Sequence, residues 1–194
     1  VEVTKDVGES VRFRSTEGQV TFQMSDDPVQ DPTRVLINNS SVRVGDVVCV
    51  PIRVEDFTDL IGMGFILNYD PTKLVFQSLG QFNLPNLNED FFKLPGAGTL
   101  PLGQLEMIWF DFTEQGVSLS DQTVIFEACF LVVDDNGTTD LSFSDVVVIG
   151  SDSDPRPFQT RAGTFQLLPE EDQSGDGDFA INTNSLTTQV GEDI

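Results

Sequence analysis

Apolar and polar residues alternate in short runs along this chain, and helical periodicity is nearly absent. Val48, Val50, Ile52 and Val54 share one parity, and Phe126, Ala128, Phe130 and Val132 share another. Successive side chains of a strand point to opposite faces, so these two sets read as core-facing. Cys49 and Arg53 in the first run, and Glu127 and Cys129 in the second, then point outward. Gly, Pro, Asn and Asp punctuate the runs, which is the pattern of an all-β sandwich. It predicts strands at about 35–42, 47–55, 62–69, 73–79, 104–112, 123–133, 140–149 and 162–168. The segment 80–103 is less regular, with room for one more short strand at 86–92. Asp135-Asn136-Gly137 marks a tight turn between two strong strands.

The two ends of the chain resemble each other. Phe13-Arg-Ser-Thr-Glu-Gly18-Gln-Val-Thr21-Phe22-Gln23 is echoed by Phe158-Gln-Thr-Arg-Ala-Gly163-Thr164-Phe165-Gln166. Phe13 and Phe158 stand 145 positions apart, and Thr21 and Thr164 stand 143 apart across a two-residue gap. That spacing is one ordinary domain, so the chain reads as a window on a tandem array. The expected divisions are the closing strands of a preceding repeat over 1–24 and a linker over 25–32. A β-sandwich would follow over 33–168, then an acidic linker over 169–178 and the opening strand of a following repeat over 179–194. Such arrays span distance or present surface, which points away from an enzyme.

Composition narrows the partners. The 194 residues are 39% hydrophobic with 16 Phe, enough for a sizeable core. Against 10 basic residues stand 32 acidic ones, a net charge of −22. A surface of that sign repels nucleic-acid phosphates and anionic lipid. No stretch nears the roughly eighteen apolar residues that a membrane-spanning helix needs, so no membrane insertion is expected. There is no His, which removes the commonest general base and with it any Ser-His or Cys-His arrangement. Cys49 and Cys129 are too few for a structural zinc site and suffice for one disulfide in an oxidising compartment.

The central segment carries a family pattern. Val44-Gly45-Asp46-Val47-Val48-Cys49-Val50-Pro51-Ile52 sets a Gly-Asp before an alternating strand with a Val-Pro ending. Leu60-Ile61-Gly62-Met63-Gly64-Phe65-Ile66-Leu67-Asn68-Tyr69-Asp70-Pro71-Thr72-Lys73-Leu74 sets a glycine-containing strand before Tyr-Asp-Pro, a short turn and Leu. The runs Thr123–Val132 and Thr138–Asp145 supply later strands in the same order. Over roughly 33–168 this resembles a cohesin domain, a β-sandwich module of bacterial secreted proteins. The resemblance implies a jelly-roll-like β-sandwich of about nine strands that works outside the cell or on its surface. Cohesins of cellulose-degrading assemblies bind dockerins through one sheet face, but no compact motif transfers that contact surface to numbered residues here. Cohesin-like repeats also occur in giant surface proteins of marine Bacteroidota, including filaments of gliding species and the grappling hooks of predatory ones. The acidity and the long period fit that second setting better. The Tyr-Asp-Pro turn has its own rationale, since Pro71 fixes φ and Asp70 can accept from turn amides.

The resemblance also bears on the cysteines. In the cohesin topology the strands holding Cys49 and Cys129 are sheet neighbours, so a cross-strand disulfide is implied. Asp172-Gln-Ser174-Gly-Asp176-Gly177-Asp178 has oxygen side chains at alternate positions and Gly at the sixth, like the first half of a calcium loop. Position twelve is Thr183 in place of a bidentate Glu, so a solvated linker stands beside a partial calcium site made by Asp172, Ser174, Asp176 and Asp178. Asp152 and Asp154 read first as an exposed acidic turn and second as a shared cation site. Asp111 and Glu114 have only their nearness to Trp109 to recommend them as paired carboxylates. Trp109, Phe110 and Phe112 read as sandwich core ahead of a sugar-stacking platform. The function expected is a non-catalytic structural repeat of a long secreted or cell-surface adhesion or filament protein. Its partners would be neighbouring repeats and homo-oligomeric filament contacts. The alternative is a cohesin-type module that captures a dockerin-like partner or a polysaccharide.

Overall fold

The computed structural model describes residues 11–16, 19–24, 31–98 and 100–170. Strands β1 (Val11–Thr16) and β2 (Gln19–Met24) pair antiparallel with each other. The strands that follow are β3 (Thr33–Leu36), β4 (Ser40–Arg43), β5 (Val47–Glu55), β6 (Leu60–Asn68) and β7 (Leu74–Gly80). After a 3-10 turn at Glu89–Phe91 come β8 (Phe92–Lys93), β9 (Gln104–Phe110), β10 (Thr123–Val132), β11 (Thr138–Gly150), β12 (Phe158–Arg161) and β13 (Gly163–Leu168). They form a five-stranded sheet in the order β12-β3-β5-β10-β7 and a six-stranded sheet in the order β4-β13-β11-β6-β9-β8. The fold is thus an all-β sandwich of jelly-roll type, with eleven strands in its two sheets where about nine were expected.

The alternation seen in the sequence builds the core. Val50, Ile52 and Val54 of β5, Phe126, Ala128 and Phe130 of β10, and Leu105, Met107 and Trp109 of β9 are almost wholly buried. Aromatic rings tie the sheets together, with Phe65 6.2 Å from Phe126 and Tyr69 4.9 Å from Phe130. Phe92 of β8 reaches the same Phe126 at 4.9 Å. Edge-on and offset pairs of this kind add to the apolar burial that drives the packing.

Two expectations on strands need correction. The single strand at 35–42 is two, because the chain leaves the five-stranded sheet after Leu36 and enters the six-stranded sheet at Ser40. Near the C-terminal end, β12 and β13 make the same crossing beside it, each running parallel to its partner, β12 with β3 and β13 with β4. The crossings are bonded to one another: Ile37 N donates to Arg161 O at 3.0 Å and Thr164 N to Asn39 Oδ1 at 2.9 Å. Gly163 is required at this point, since a Cβ there would lie 2.3 Å from Ile37 Cγ2. Over 86–92 only Phe92 is in a strand, paired with Met107.

Candidate binding face

The outer face of the six-stranded sheet is built by three neighbouring strands. Inward residues of β6 and β9 fill the core, so Gly62, Gly64, Ile66 and Asn68 and then Gln104, Glu106, Ile108 and Phe110 turn outward. Register places them in rows with β11. One row is Ile149–Gly62–Phe110, and the next is Val147–Gly64–Ile108. Ser144–Ile66–Glu106 follows, and Ser142–Asn68–Gln104 closes the face.

The rows differ in chemistry. The first two are apolar on both flanks with a glycine between, Gly62 covered and Gly64 partly open, and they line a groove of about 670 Å³. Phe110 is 52% exposed, Val147 53% and Ile108 39%, values unusual for side chains of this size. A second groove of about 390 Å³ continues across the sheet edge, lined by Phe91, Ile108, Phe110 and Phe112. The last row is polar, its amides bonded to one another and to Ser144 of the row before it. Asn68 Nδ2 donates to Ser144 Oγ at 3.0 Å, and Gln104 Nε2 to Asn68 Oδ1 at 3.1 Å. Lys93 on β8 pairs with Glu106 at 2.6 Å, closing the rim between the two grooves.

The aromatic trio divides. Trp109 is fully buried and its Nε1–H donates to Pro85 O at 2.9 Å. Phe110 and Phe112 lie outside, which corrects their reading as core; strict alternation cannot bury both Trp109 and Phe110. Phe112 falls just past the end of β9 and stands 6.1 Å from Phe91.

The carboxylates singled out in the sequence serve turns. Asp111 accepts from Thr113 N at 3.0 Å, from Thr113 Oγ1 at 2.8 Å and from Gly116 N at 3.2 Å. The Thr113 amide, then its hydroxyl, hold the Asp111 carboxyl below the usual carboxylate range. Glu114 belongs to the same turn, its N–H donating to Asp111 O at 3.1 Å. Asp152 accepts from Asp154 N at 2.9 Å and pairs with Arg156 at 2.9 Å, and these bonds likewise lower its pKa. Asp70 accepts from Thr72 N at 2.9 Å and Thr72 Oγ1 at 2.6 Å, the amide-capping arrangement expected of the Tyr-Asp-Pro turn. Among the described residues no three His, Cys, Asp or Glu side chains cluster to hold a metal. Asp172, Ser174, Asp176 and Asp178 lie outside the described residues.

Cys49 and Cys129 face each other in register on β5 and β10 and are joined as a disulfide, their Cα atoms 3.9 Å apart. The bond lies on the outer face of the five-stranded sheet, the opposite side of the sandwich from the groove. No helix among the described residues is long and apolar enough to cross a membrane.

Sequence reasoning did not pick out the grooved face. Its signal was present in Gly62 and Gly64, two glycines of one parity inside the apolar run Leu60–Asn68. Glycine is disfavoured in a strand interior and marks a close approach or a bulge.

Comparison with known proteins agrees with this architecture. No curated protein sequence matches the chain. Its fold is similar to that of a type I cohesin–dockerin complex from Clostridium thermocellum, with a TM-score of 0.60 at 16% identity over 71% of this chain and 100% of that one. A non-cellulosomal cohesin from the hyperthermophilic archaeon Archaeoglobus fulgidus is similar at a TM-score of 0.58 and 20% identity, covering 72% of this chain and 94% of that one. A type I cohesin from Pseudobacteroides cellulosolvens has a TM-score of 0.58 at 19% identity, with the same coverage of 72% and 94%. At such identities the likeness is one of fold. The cohesin-domain family model matches residues 33–155, more than half of the sequence. The chain belongs to the cohesin family.

Proposed function

We propose that this chain is a non-catalytic binding module and that the outer face of its six-stranded sheet docks a dockerin-like protein. The observation that carries the reading is the pair of apolar rows, Ile149–Gly62–Phe110 and Val147–Gly64–Ile108, on the outer face of the sheet, with Phe110, Val147 and Ile108 exposed. Exposed apolar area of this kind gains by being covered, and aromatic side chains at its centre are the usual anchors of a protein interface. The similarity to a chain of a cohesin–dockerin complex supports a dockerin-like partner. A polysaccharide is the poorer fit, because the two open rows offer a sugar no polar side chain. The test is titration of the full chain against a panel of purified dockerin modules by calorimetry. Phe110→Asp is expected to abolish binding, while Val75→Asp on the opposite sheet leaves it intact. Binding unaffected by Phe110→Asp refutes the assignment of the face.

A second reading rests on a different observation, the likeness between Phe13–Gln23 and Phe158–Gln166. We propose that the module repeats along a long secreted or cell-surface protein. The net charge of −22 suits a surface bathed in salty water, and the disulfide suits an oxidising compartment. The parent reading frame decides the point. Many cohesin-like repeats at a spacing of about 145 support a filament or adhesin, and a few cohesins beside anchoring modules support a scaffold for partners alone.

A further inference from the structure

Gly62 and Gly64 are not demanded by the fold that contains them. Both lie in extended β6, where any residue is conformationally allowed. A Cβ at Gly62 would meet nothing nearer than Ile149 Cβ and Trp109 O, each at 3.7 Å. At Gly64 the nearest atom would be Met107 O at 3.4 Å, with Ile108 Cγ1 at 3.8 Å. These are van der Waals separations, so alanine fits at both positions. Glycine in a strand interior is meanwhile less stable than alanine, because it gives up more backbone entropy and packs no side chain. A central strand flanked on both sides therefore carries two residues that weaken it, and its own neighbours supply no steric reason.

What the glycines supply is depth. Each stands in register between a large apolar side chain of β9 and one of β11. The strands bearing those walls are two strand spacings apart, roughly 9.5 Å. Any side chain on the floor would fill this channel and hold a visitor off the β6 backbone.

The rim is acidic. Glu106 and Asp145 line the main groove, Asp90 lines the adjoining one, and the basic residue among the lining side chains, Lys93, is engaged with Glu106. A second copy of the chain would bring another −22 against the first, which disfavours self-association through this face. A partner with cationic side chains beside an apolar ridge matches both the floor and the rim.

We propose that Gly64, the glycine of the pair that stays partly open, is a specificity-determining position of the docking face. It admits a protein segment whose apolar ridge lies against β6 and whose flanks carry Lys or Arg toward the exposed Asp145 and Asp90. This rests on the docking reading above and names the partner's chemistry.

The experiment sorts a yeast-displayed library of dockerin modules for binding to the full chain. Selected clones are then titrated against the wild type, Gly62→Ala, Gly64→Ala, Gly64→Leu and Phe110→Asp. The expected clones are enriched in Lys and Arg over the starting library and bind more weakly as salt rises. Gly64→Leu weakens them about tenfold or more, and Gly64→Ala weakens them less, while both alanine variants melt no lower than wild type. Clones that lose binding with Phe110→Asp but not with Gly64→Leu or Gly64→Ala overturn the role of Gly64 and leave the docking face standing. Clones without basic enrichment overturn the charge assignment. A library that yields no binder, or only binders indifferent to Phe110→Asp, overturns the docking reading and this inference with it.

Discussion

Replacing both cysteines with alanine, Cys49→Ala/Cys129→Ala, removes a bond that spans 80 residues of sequence. It joins strands that already pair over eight register positions, so the folded state gains little new contact from it. Its effect lies in the unfolded chain. Closing a loop of that length lowers the unfolded entropy by about 15 cal/mol/K, equivalent to about 4.5 kcal/mol at 25 °C. For a chain of this size that corresponds to a fall of about 10–18 °C in melting temperature. Urea unfolding of the wild type, the double variant and the reduced wild type measures it. Reduced wild type and double variant should coincide, and both should show a steeper denaturant dependence, because an unlinked chain exposes more surface. Mass spectrometry without reduction first verifies the bond. A verified bond whose loss costs less than about 1 kcal/mol would refute the loop-closure account and place the compensation in structure retained by the reduced unfolded chain.

Gly103→Ala tests the turn before β9, where φ is +86° and a Cβ would lie 2.7 Å from Tyr69 O and 2.9 Å from Pro71 Cδ. The expected cost is about 1–3 kcal/mol of unfolding free energy, read as a lower urea midpoint, and an unchanged midpoint would show that the Tyr69–Pro71 turn yields freely. Acid should also destabilise the sandwich. Asp70, Asp111 and Asp152 have depressed pKa values when folded, so their contribution is complete above the unfolded carboxyl value near about 3.9 and is lost as pH falls through the lower folded values. Urea midpoints from pH 7 down to about pH 2.5 should decline mainly below pH 4. Asp111→Asn, which keeps an acceptor for Thr113, should flatten part of that decline, and an identical slope would remove Asp111 from the explanation.

Much of the sandwich was legible because parity in a half-buried strand is set by the residues themselves. Val50, Ile52 and Val54 announce β5 with no knowledge of its neighbours, and the Asp70 turn follows from side-chain chemistry two residues long. What escaped was decided at a distance. The break after Leu36 depends on a parallel crossing contributed by residues more than a hundred positions later, and the run through Val35, Leu36 and Ile37 gives no local sign of it. Strand β12 is exposed at all four positions, so it has no apolar parity to read. The cysteine pairing needed two kinds of knowledge: alternation gave the outward face of each, and only the family topology put the strands side by side. Phe110 was misread because Phe is more often inside than outside, a prior that alternation with Trp109 overrides.

The outer faces of the two sheets differ in a way that supports the docking surface proposed above. The five-stranded sheet also exposes apolar side chains, in the row Val47–Leu131–Val75. The next row is Cys49–Cys129–Ser78, and the one after it places Glu127 between Pro51 and Gly80. Arg34, bonded to Glu55 and to Asp56, occupies the far side of the same sheet. That surface offers one exposed apolar row, with charged residues in the rows beyond it, so a partner covering it would bury little apolar area for the charges it desolvates. On the six-stranded sheet the apolar rows are consecutive, the polar residues are gathered into the two rows beyond them, and Asp145 and Asp90 stand exposed at the rim. Segregation of this kind lets an incoming protein bury the centre and pair with the rim. The two glycines belong to the same logic. Local strand preference favours β-branched residues at 62 and 64, and a chain selected for stability alone would carry them. Where local preference and global fold disagree without structural necessity, function is the expected reason.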